Sequence, residues 1–323
     1  MVSGDSIASI LVNGIIYLTN HALLMEVDMN LIEISQMTEE GARKYFEGIR
    51  WPNGPVCPHC KNKERNRELL GKATRPGVYK CRSCRKQFTV TVGTVLHRSH
   101  ISMKQWLITF HLMCSSKKGV SASQLQRELG LKTYPSAWFL AHRIRTAMKS
   151  NPASLPLTGI VEVDETYIGG KAKRGSRRGR GTSKMPVVAL ISRDGRAYSK
   201  PVEHVNAKEL KGAIRDMVKK SARIMTDEWK AYRGIGREFN GGHNTVNHGE
   251  GEYARGDVHV NNGESYFALL KRGVHGIFHH VSREHLGRYC DEFSFRWTCR
   301  KMSDGERTVE AIKGIEGKRL AYN

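Results

Sequence analysis

Two Cys-x-x-Cys pairs, CPHC at 57–60 and CRSC at 81–84, stand 20 residues apart. Nothing else in the chain restricts its folding as much. Four thiolates at this spacing can close a tetrahedron around Zn2+, each pair offered by one tight knuckle. Binding the ion contributes on the order of 10 kcal/mol to a module too small for a core of its own. Cys57, Cys60, Cys81 and Cys84 are therefore expected to hold a structural zinc, with His59 pointing outward. Three further cysteines, Cys114, Cys290 and Cys299, sit in apolar helical runs and read as core. Close pairs of this kind indicate a metal site in a reducing cytoplasm rather than a disulfide framework.

Basic residues crowd the knuckles: Lys61, Lys63, Arg65, Lys80, Arg82, Arg85 and Lys86. The whole chain carries 53 Lys and Arg against 31 Asp and Glu, a net charge of +22. A field of that sign collects polyanions, and nucleic acid is the expected partner. It argues against a chain that handles only neutral small molecules. A membrane surface fits poorly, because no Lys/Arg cluster flanks a clean apolar helix. Residues 7–27 are apolar but interrupted by Asn13, Asn20 and His21, with no basic segment before them. They read as neither a signal peptide nor a membrane span. Residues 1–36 are taken as an N-terminal extension that need not be native, with Met29 as an alternative start.

The rest divides by pattern. Residues 37–93 read as a leading helix, capped by Thr38, followed by the ribbon. Residues 94–150 are helical. Within them KKGVSASQLQRELGLKTYPSAWFLAHRIRTAM (117–148) reads as a helix-turn-helix. Ser121 or Ser123 caps a helix through Leu129, Gly130 ends it, and a second helix begins near Ser136. In such a pair the second helix enters the major groove, so Arg143 and Arg145 are expected to meet phosphate or guanine. A plain helical hairpin is the alternative. After the linker SLPLTG, residues 158–303 alternate strand-like runs (160–168, 186–191, 222–227) with helical runs (207–220, 263–273, 283–300), a mixed α/β domain. Residues 304–323 carry little signal and read as a tail.

The α/β domain opens with GIVEVDETYIGG (159–170), which places Glu162, Asp164 and Glu165 among strong strand formers. Burying an acid there is costly unless something compensates its charge. Asp164 is expected near the end of the first strand, Asp227 at the end of the run ARIMTD, and Glu264 in the first turn of the helix after Asn262-Gly263. Singly, each has a local explanation: Asp227 can cap EWKAY, and Glu264 suits a helix N-terminus. Together they suggest a cluster around hard divalent cations of the kind that assist phosphoryl transfer. By the period of two, Glu162 shares a face with Asp164, whereas Glu165 lies opposite and is expected to be peripheral. Between the first two acids runs KAKRGSRRGRGTSK (171–184), with seven basic residues and no acid. Lys171, Lys173, Arg174, Arg177, Arg178 and Arg180 are expected to clamp DNA phosphates.

These motifs, together with RWPNGPVCPHC (50–60), MTDEWKAY (225–232), HVNNGESYFALLKRG (259–273) and HHVSREHLGRYCDEFSFR (279–296), resemble the ISXO2-like transposases of the IS1595 family of bacterial insertion sequences. The resemblance spans about residues 37–300. It implies an RNase H-like DDE catalytic domain preceded by the zinc ribbon and the helical region. It also implies Zn2+ in the ribbon, Mg2+ or Mn2+ at the acids, cleavage at terminal inverted repeats, and joining to target DNA. Double-stranded DNA, a homo-oligomer on it and a bacterial cytoplasmic, nucleoid-associated setting follow from the same resemblance. By motif, Asp164 and Asp227 are the first two catalytic acids. His259, Asn261 and Glu264 carry the third motif, with Glu264 as the third acid and Asn261 as auxiliary or alternative. Lys271 and Arg272, further along that helix, are expected near phosphate, as is His259. Two departures stand out: FRWTCR (295–300) where the family continues FR-x-N, and Gly263 where a larger apolar residue is expected. A zinc-ribbon regulator or decayed copy without catalysis, and a nuclease that cuts without joining, are the alternatives.

Overall fold

The computed structural model describes residues 10–12, 15–17, 28–150, 155–169 and 184–320. The chain forms two compact units, Met1–Ser115 with Leu125–Ala147 and Met302–Asn323, and Ser116–Gln124 with Met148–Lys301. Among the described residues no helix is long and apolar enough to cross a membrane.

The first unit begins with a short hairpin, β1 (Ile10–Val12) and β2 (Ile15–Tyr17). Most of the segment 7–27 lies outside the described residues. Helix α1 (Leu31–Gln36) starts at a capping box between Asn30 and Glu33. Helix α2 (Glu39–Arg50) is capped by Thr38 as expected, its Oγ1 accepting from the Gly41 N–H at 3.0 Å. The ribbon is a three-stranded antiparallel sheet of β3 (Asn66–Glu68), β4 (Tyr79–Cys81) and β5 (Gln87–Phe88). Trp51 meets Tyr79 and Phe88 edge-on at 5.5 and 5.7 Å, which supplies an aromatic core behind so small a sheet. Helix α3 (Met103–Ser115) follows. The Glu39 carboxylate accepts from the N–H groups of Met103 and Lys104 at 2.6 and 3.0 Å, satisfying donors that a helix N-terminus leaves open.

The two helices expected after it are present. Helix α4 (Ala122–Glu128) is capped by Ser121, which accepts from the Gln124 N–H at 3.1 Å. Helix α5 (Tyr134–Met148) starts two residues before the expected Ser136. The segment 304–323, read as a tail, instead carries α9 (Asp304–Lys313). A capping box of Ser303 and Glu306 starts it, and Val309, Ala311 and Ile312 bury its apolar face. Arg307 donates to the Cys114 carbonyl at 3.1 Å, tying α9 to the end of α3.

The second unit is built on a five-stranded sheet. Its strands are β6 (Ile160–Ile168), β7 (Met185–Ser192), β8 (Ala197–Pro201), β9 (Arg223–Asp227) and β10 (His243–Val246). The spatial order is β10-β9-β6-β7-β8. Strands β6, β7 and β8 pair antiparallel; β9 runs parallel to β6, and β10 parallel to β9. Helix α6 (Ala207–Met217) packs Leu210, Ala213 and Ile214 against Val161, Val163, Val188 and Leu190 on one face. Helices α7 (Asn261–Gly273) and α8 (Leu286–Thr298) pack Tyr266, Phe267, Leu270 and Phe293 against Val187, Ala189 and Ile191 on the other. The alternation along β7 shows the period of two dividing its side chains between two cores. Cys114, Cys290 and Cys299 are all buried, as expected.

Candidate active site and metal centre

The four knuckle cysteines converge in the first unit, their sulfurs all within 4.8 Å of one another. Cys57 and Cys84 stand 3.6 Å apart, as do Cys60 and Cys81. The two knuckles are built alike. The Cys57 N–H donates to the Asn62 carbonyl and the Cys81 N–H to the Lys86 carbonyl, each at 3.0 Å and each across five residues. The residue after each second cysteine, Lys61 and Arg85, has φ +61°, the left-handed turn that swings the chain away from the ligands. The N–H groups of Cys84 and Ser83 hold the Cys81 thiol down at about 6, favouring the thiolate. His59 is exposed and outside the quartet. Four soft donors so close fit a tetrahedral zinc site.

The acid site lies in the second unit, on the α7 face of the sheet. Asp164 is not near the end of β6 but at its middle, since β6 runs on to Ile168 and pairs Asp164 with Ala189 of β7. Strand β9 pairs Glu162 with Met225. Continuing that register by two residues sets Asp227 level with Asp164. Helix α7 approaches this point by its first turn. A Cβ placed on Gly263 would lie 3.0 Å from Asp164 Cβ and 3.6 Å from its Oδ2. The unexpected glycine thus lets the helix descend onto the acid. Glu264 is next to it and exposed, as is Asn261 at the first helical position.

The electrostatics agree with a cluster. Burial raises the Asp164 carboxyl to about 7, with the Glu165, Asp227 and Glu264 carboxylates pushing the same way and the Glu165 N–H, 2.8 Å from Oδ1, opposing. Asp227 Oδ1 accepts from the Trp229 N–H at 3.0 Å, a local turn contact; the short helix that follows, Lys230–Tyr232, is capped at Trp229 without a side-chain hydrogen bond, so the expected capping by Asp227 is not seen. Among the described residues the three acids do not close to the spacing of the cysteine quartet.

Glu162 proves more central than its sequence suggests. It is fully buried and accepts from Arg193 Nε at 2.8 Å, the Asn262 N–H at 2.8 Å and Asn262 Nδ2 at 2.9 Å. His259 Nδ1 lies 3.3 Å from the same carboxylate, and Arg193 also reaches the His259 carbonyl. Glu162 therefore joins β6, two residues before Asp164, to α7, two residues before Glu264. His259, expected near phosphate, is turned to this network. Nothing in the local sequence marks Arg193, which sits in an ordinary turn between β7 and β8. Glu165 lies on the opposite face as expected, yet it is not idle. The Tyr232 hydroxyl donates to its Oε2 at 2.6 Å, and burial holds that phenol well above its usual range.

The basic residues divide. Lys271 and Arg272 are exposed in the last turn of α7. Lys171, Lys173, Arg174, Arg177, Arg178 and Arg180 lie outside the described residues. The expectation for Arg145 needs correction. Arg145 is only 2% exposed, and Arg143 packs over the Phe139 ring at 4.5 Å with its Nε buried. Helix α5 also buries Ala137, Leu140, Ala141, His142 and Ile144, so Arg145 lies within packing, whereas Arg143 is half-buried.

Comparison with known proteins places both regions. The ISXO2-like transposase domain matches residues 156–298, and the transposase zinc-ribbon domain matches residues 37–87. A protein described as an uncharacterized protein in transposable element ISH50, from Halobacterium salinarum, is 29% identical over 276 residues, covering 80% of this chain and 91% of the relative. Among solved structures, the crystal structure of a pre-cleavage Mos1 transpososome is similar at 15% identity and a TM-score of 0.25, covering 59% of this chain and 70% of that one. A superposition that loose does not bear on the fold.

Proposed function

We propose that this chain, which belongs to the ISXO2-like transposases of the IS1595 family, cuts the ends of its own insertion sequence and joins them to target DNA at the acids of β6, β9 and α7. The observation that carries this reading is the convergence on Asp164. A carboxyl raised to about 7 by burial, and further by its acidic neighbours, is a poor structural choice and a good cation site. The donor set fits a hard divalent ion: Asp164, Asp227 and Glu264 would hold Mg2+ or Mn2+, with Asn261 the alternative third group. When bound, the ions supply Lewis-acid stabilisation of the phosphoryl oxygens. The mixed sheet, with helices on both faces and acids on its central strand and parallel neighbour, supports an RNase H-like domain.

The chain's own residues have separate tasks in this reading. Glu162, through Arg193 and Asn262, fixes the first turn of α7 so that Glu264 faces the two aspartates. Lys271, Arg272 and the basic segment 171–184 offer charge to the DNA backbone outside the acids. The zinc ribbon with its basic knuckles contributes to recognition of the inverted repeats. Two element ends must meet, so the working form is a homo-oligomer on DNA, and its place is the cytoplasm, on the nucleoid.

Strand transfer tests this. Purified protein is incubated with a labelled duplex carrying the element end, supercoiled plasmid, and Mg2+ or Mn2+. Joined product is expected with the wild type and not with Asp164→Asn or Glu264→Gln. Joining that survives Glu264→Gln moves the third role to Asn261. Cutting without joining assigns a nuclease, and end binding with neither assigns a regulator.

A further inference from the structure

We propose that the first unit holds a pocket for one backbone phosphate of DNA, formed between the first zinc knuckle and residues 316–319. The proposal rests on the reading above that the chain binds DNA. The pocket has a volume of about 280 Å³ and is lined by Pro58, Lys61, Gly93, His97, Lys318 and Arg319, with Glu316 at its side.

It is a constructed feature rather than a gap between loops. Gly93 and Gly317 both take left-handed backbone, φ +77° and +70°, where side chains are disfavoured. The Gly317 N–H donates to the Gly93 carbonyl at 3.0 Å, and Glu316 bridges antiparallel to Thr94. The paired turns lay residues 316–319 along the end of the ribbon. Lys318 is anchored by donating to the Ala147 carbonyl at 2.9 Å. Exposed Gly93, Gly317 and Arg319 leave the pocket open to a ligand at the surface.

Its charge selects an anion. Glu316 is the acid in the lining, and Arg50 matches it, its Nε 2.6 Å from one oxygen; Lys61 Nζ, 3.6 Å from the other, is 70% exposed and can turn to a phosphate. Arg319 is exposed and pairs with no acid among the described residues, and neither does Arg98 beside His97. The His97 Nδ1 is buried without a hydrogen-bond partner. Burial, then the charges of Arg319, Arg98 and Arg143, lower the affinity of that imidazole for a proton. A phosphodiester oxygen would relieve this crowd of cations, and a guanidinium fork suits it. Because Lys61 follows directly on ligand Cys60, the zinc knuckle itself presents one of the contacts.

Salt-dependent binding tests the pocket. Full-length protein is titrated onto a labelled duplex across a KCl series, following fluorescence anisotropy. Arg319→Ala and Lys61→Asn are compared with wild type; asparagine tolerates the left-handed backbone at position 61. Each is expected to lower the slope of log K against log salt by about 1, equally for end and unrelated sequences. Zinc content at the wild-type level shows that the ribbon is intact. Lys313→Ala, on α9 outside the pocket, should leave the slope alone. Unchanged slopes in Arg319→Ala and Lys61→Asn, or an equal fall in Lys313→Ala, overturn the pocket while leaving the transposase reading in place. A wild type that binds no duplex at low salt overturns the DNA-binding reading itself.

Discussion

Replacing Gly263 by alanine asks whether the acid site depends on the close approach of α7 to β6. The new Cβ would stand 3.0 Å from Asp164 Cβ, against about 3.5–4.0 Å for a comfortable carbon contact. Asp164 Cβ is bonded directly to a strand backbone that is paired with β7, so no rotamer change moves it away. The helix must give instead, by roughly 0.5 Å or more. Two effects oppose each other in stability. Alanine is favoured over glycine within a helix by up to about 1 kcal/mol, and by less here, because Gly263 lies in the first turn. Overpacking costs about 1–3 kcal/mol. Crowding wins, with a net loss of roughly 0.5–2 kcal/mol and a melting temperature lower by a few degrees. The effect on chemistry should be larger, since a misplacement approaching 1 Å costs about 100-fold. Joining of pre-cut ends, measured at saturating DNA and metal, should therefore fall by about 10- to 100-fold in a protein that still melts cooperatively. Wild-type joining with an unchanged melting temperature would refute the idea that Gly263 sets this spacing.

Three other changes have defined outcomes. Asp164 keeps its proton up to about pH 7 when folded, whereas in the unfolded chain it loses it near 4. The folded state therefore binds more protons between those values, and stability from this group falls as pH rises from about 4 to 7. Asp164→Asn should thus stabilise the metal-free protein more at pH 8 than at pH 4, by an unfolding free energy on the order of 4 kcal/mol; an equal effect at both would contradict the assignment. Glu162→Ala leaves Arg193 and Asn262 without their partner and should cost about 3–5 kcal/mol by urea unfolding, and Glu162→Gln about 1–3 kcal/mol. Loss of joining by the glutamine variant with duplex affinity retained would mark a positioning role. Stripping zinc with a chelator should abolish the near-ultraviolet circular dichroism of the Trp51–Tyr79–Phe88 cluster, and an unchanged signal would mean that the ribbon folds without metal.

Much of this was legible before any coordinates. The ribbon was, because four cysteines at fixed spacing leave few alternatives. So were β6, β7, β9 and their helices, because buried strands and amphipathic helices write their periods into the sequence. Strands β8 and β10 were not: AYSKP and HNTV alternate weakly and depend on neighbours for their pairing. Glu162 and Arg193 were hard to see for the same reason, since a charge pair 31 residues apart leaves no local trace. Gly263 looked like a departure from pattern until the Asp164 contact gave it a cause. Arg145 was hard to place because a basic residue on a helix reads as exposed until the packing around it is known.

The make-up of the first unit has a consequence for synthesis. Its helix α9 comes from residues that follow the whole α/β unit, yet Val309, Ala311 and Ile312 are part of its interior. While the chain is being made, α3 must wait with an uncovered apolar face until the strands carrying the acids have been completed. A message broken after codon 301 would encode Asp164, Asp227 and Glu264 and all four knuckle cysteines. Its product would still be incomplete, because the unit that carries the cysteine quartet would lack its last wall.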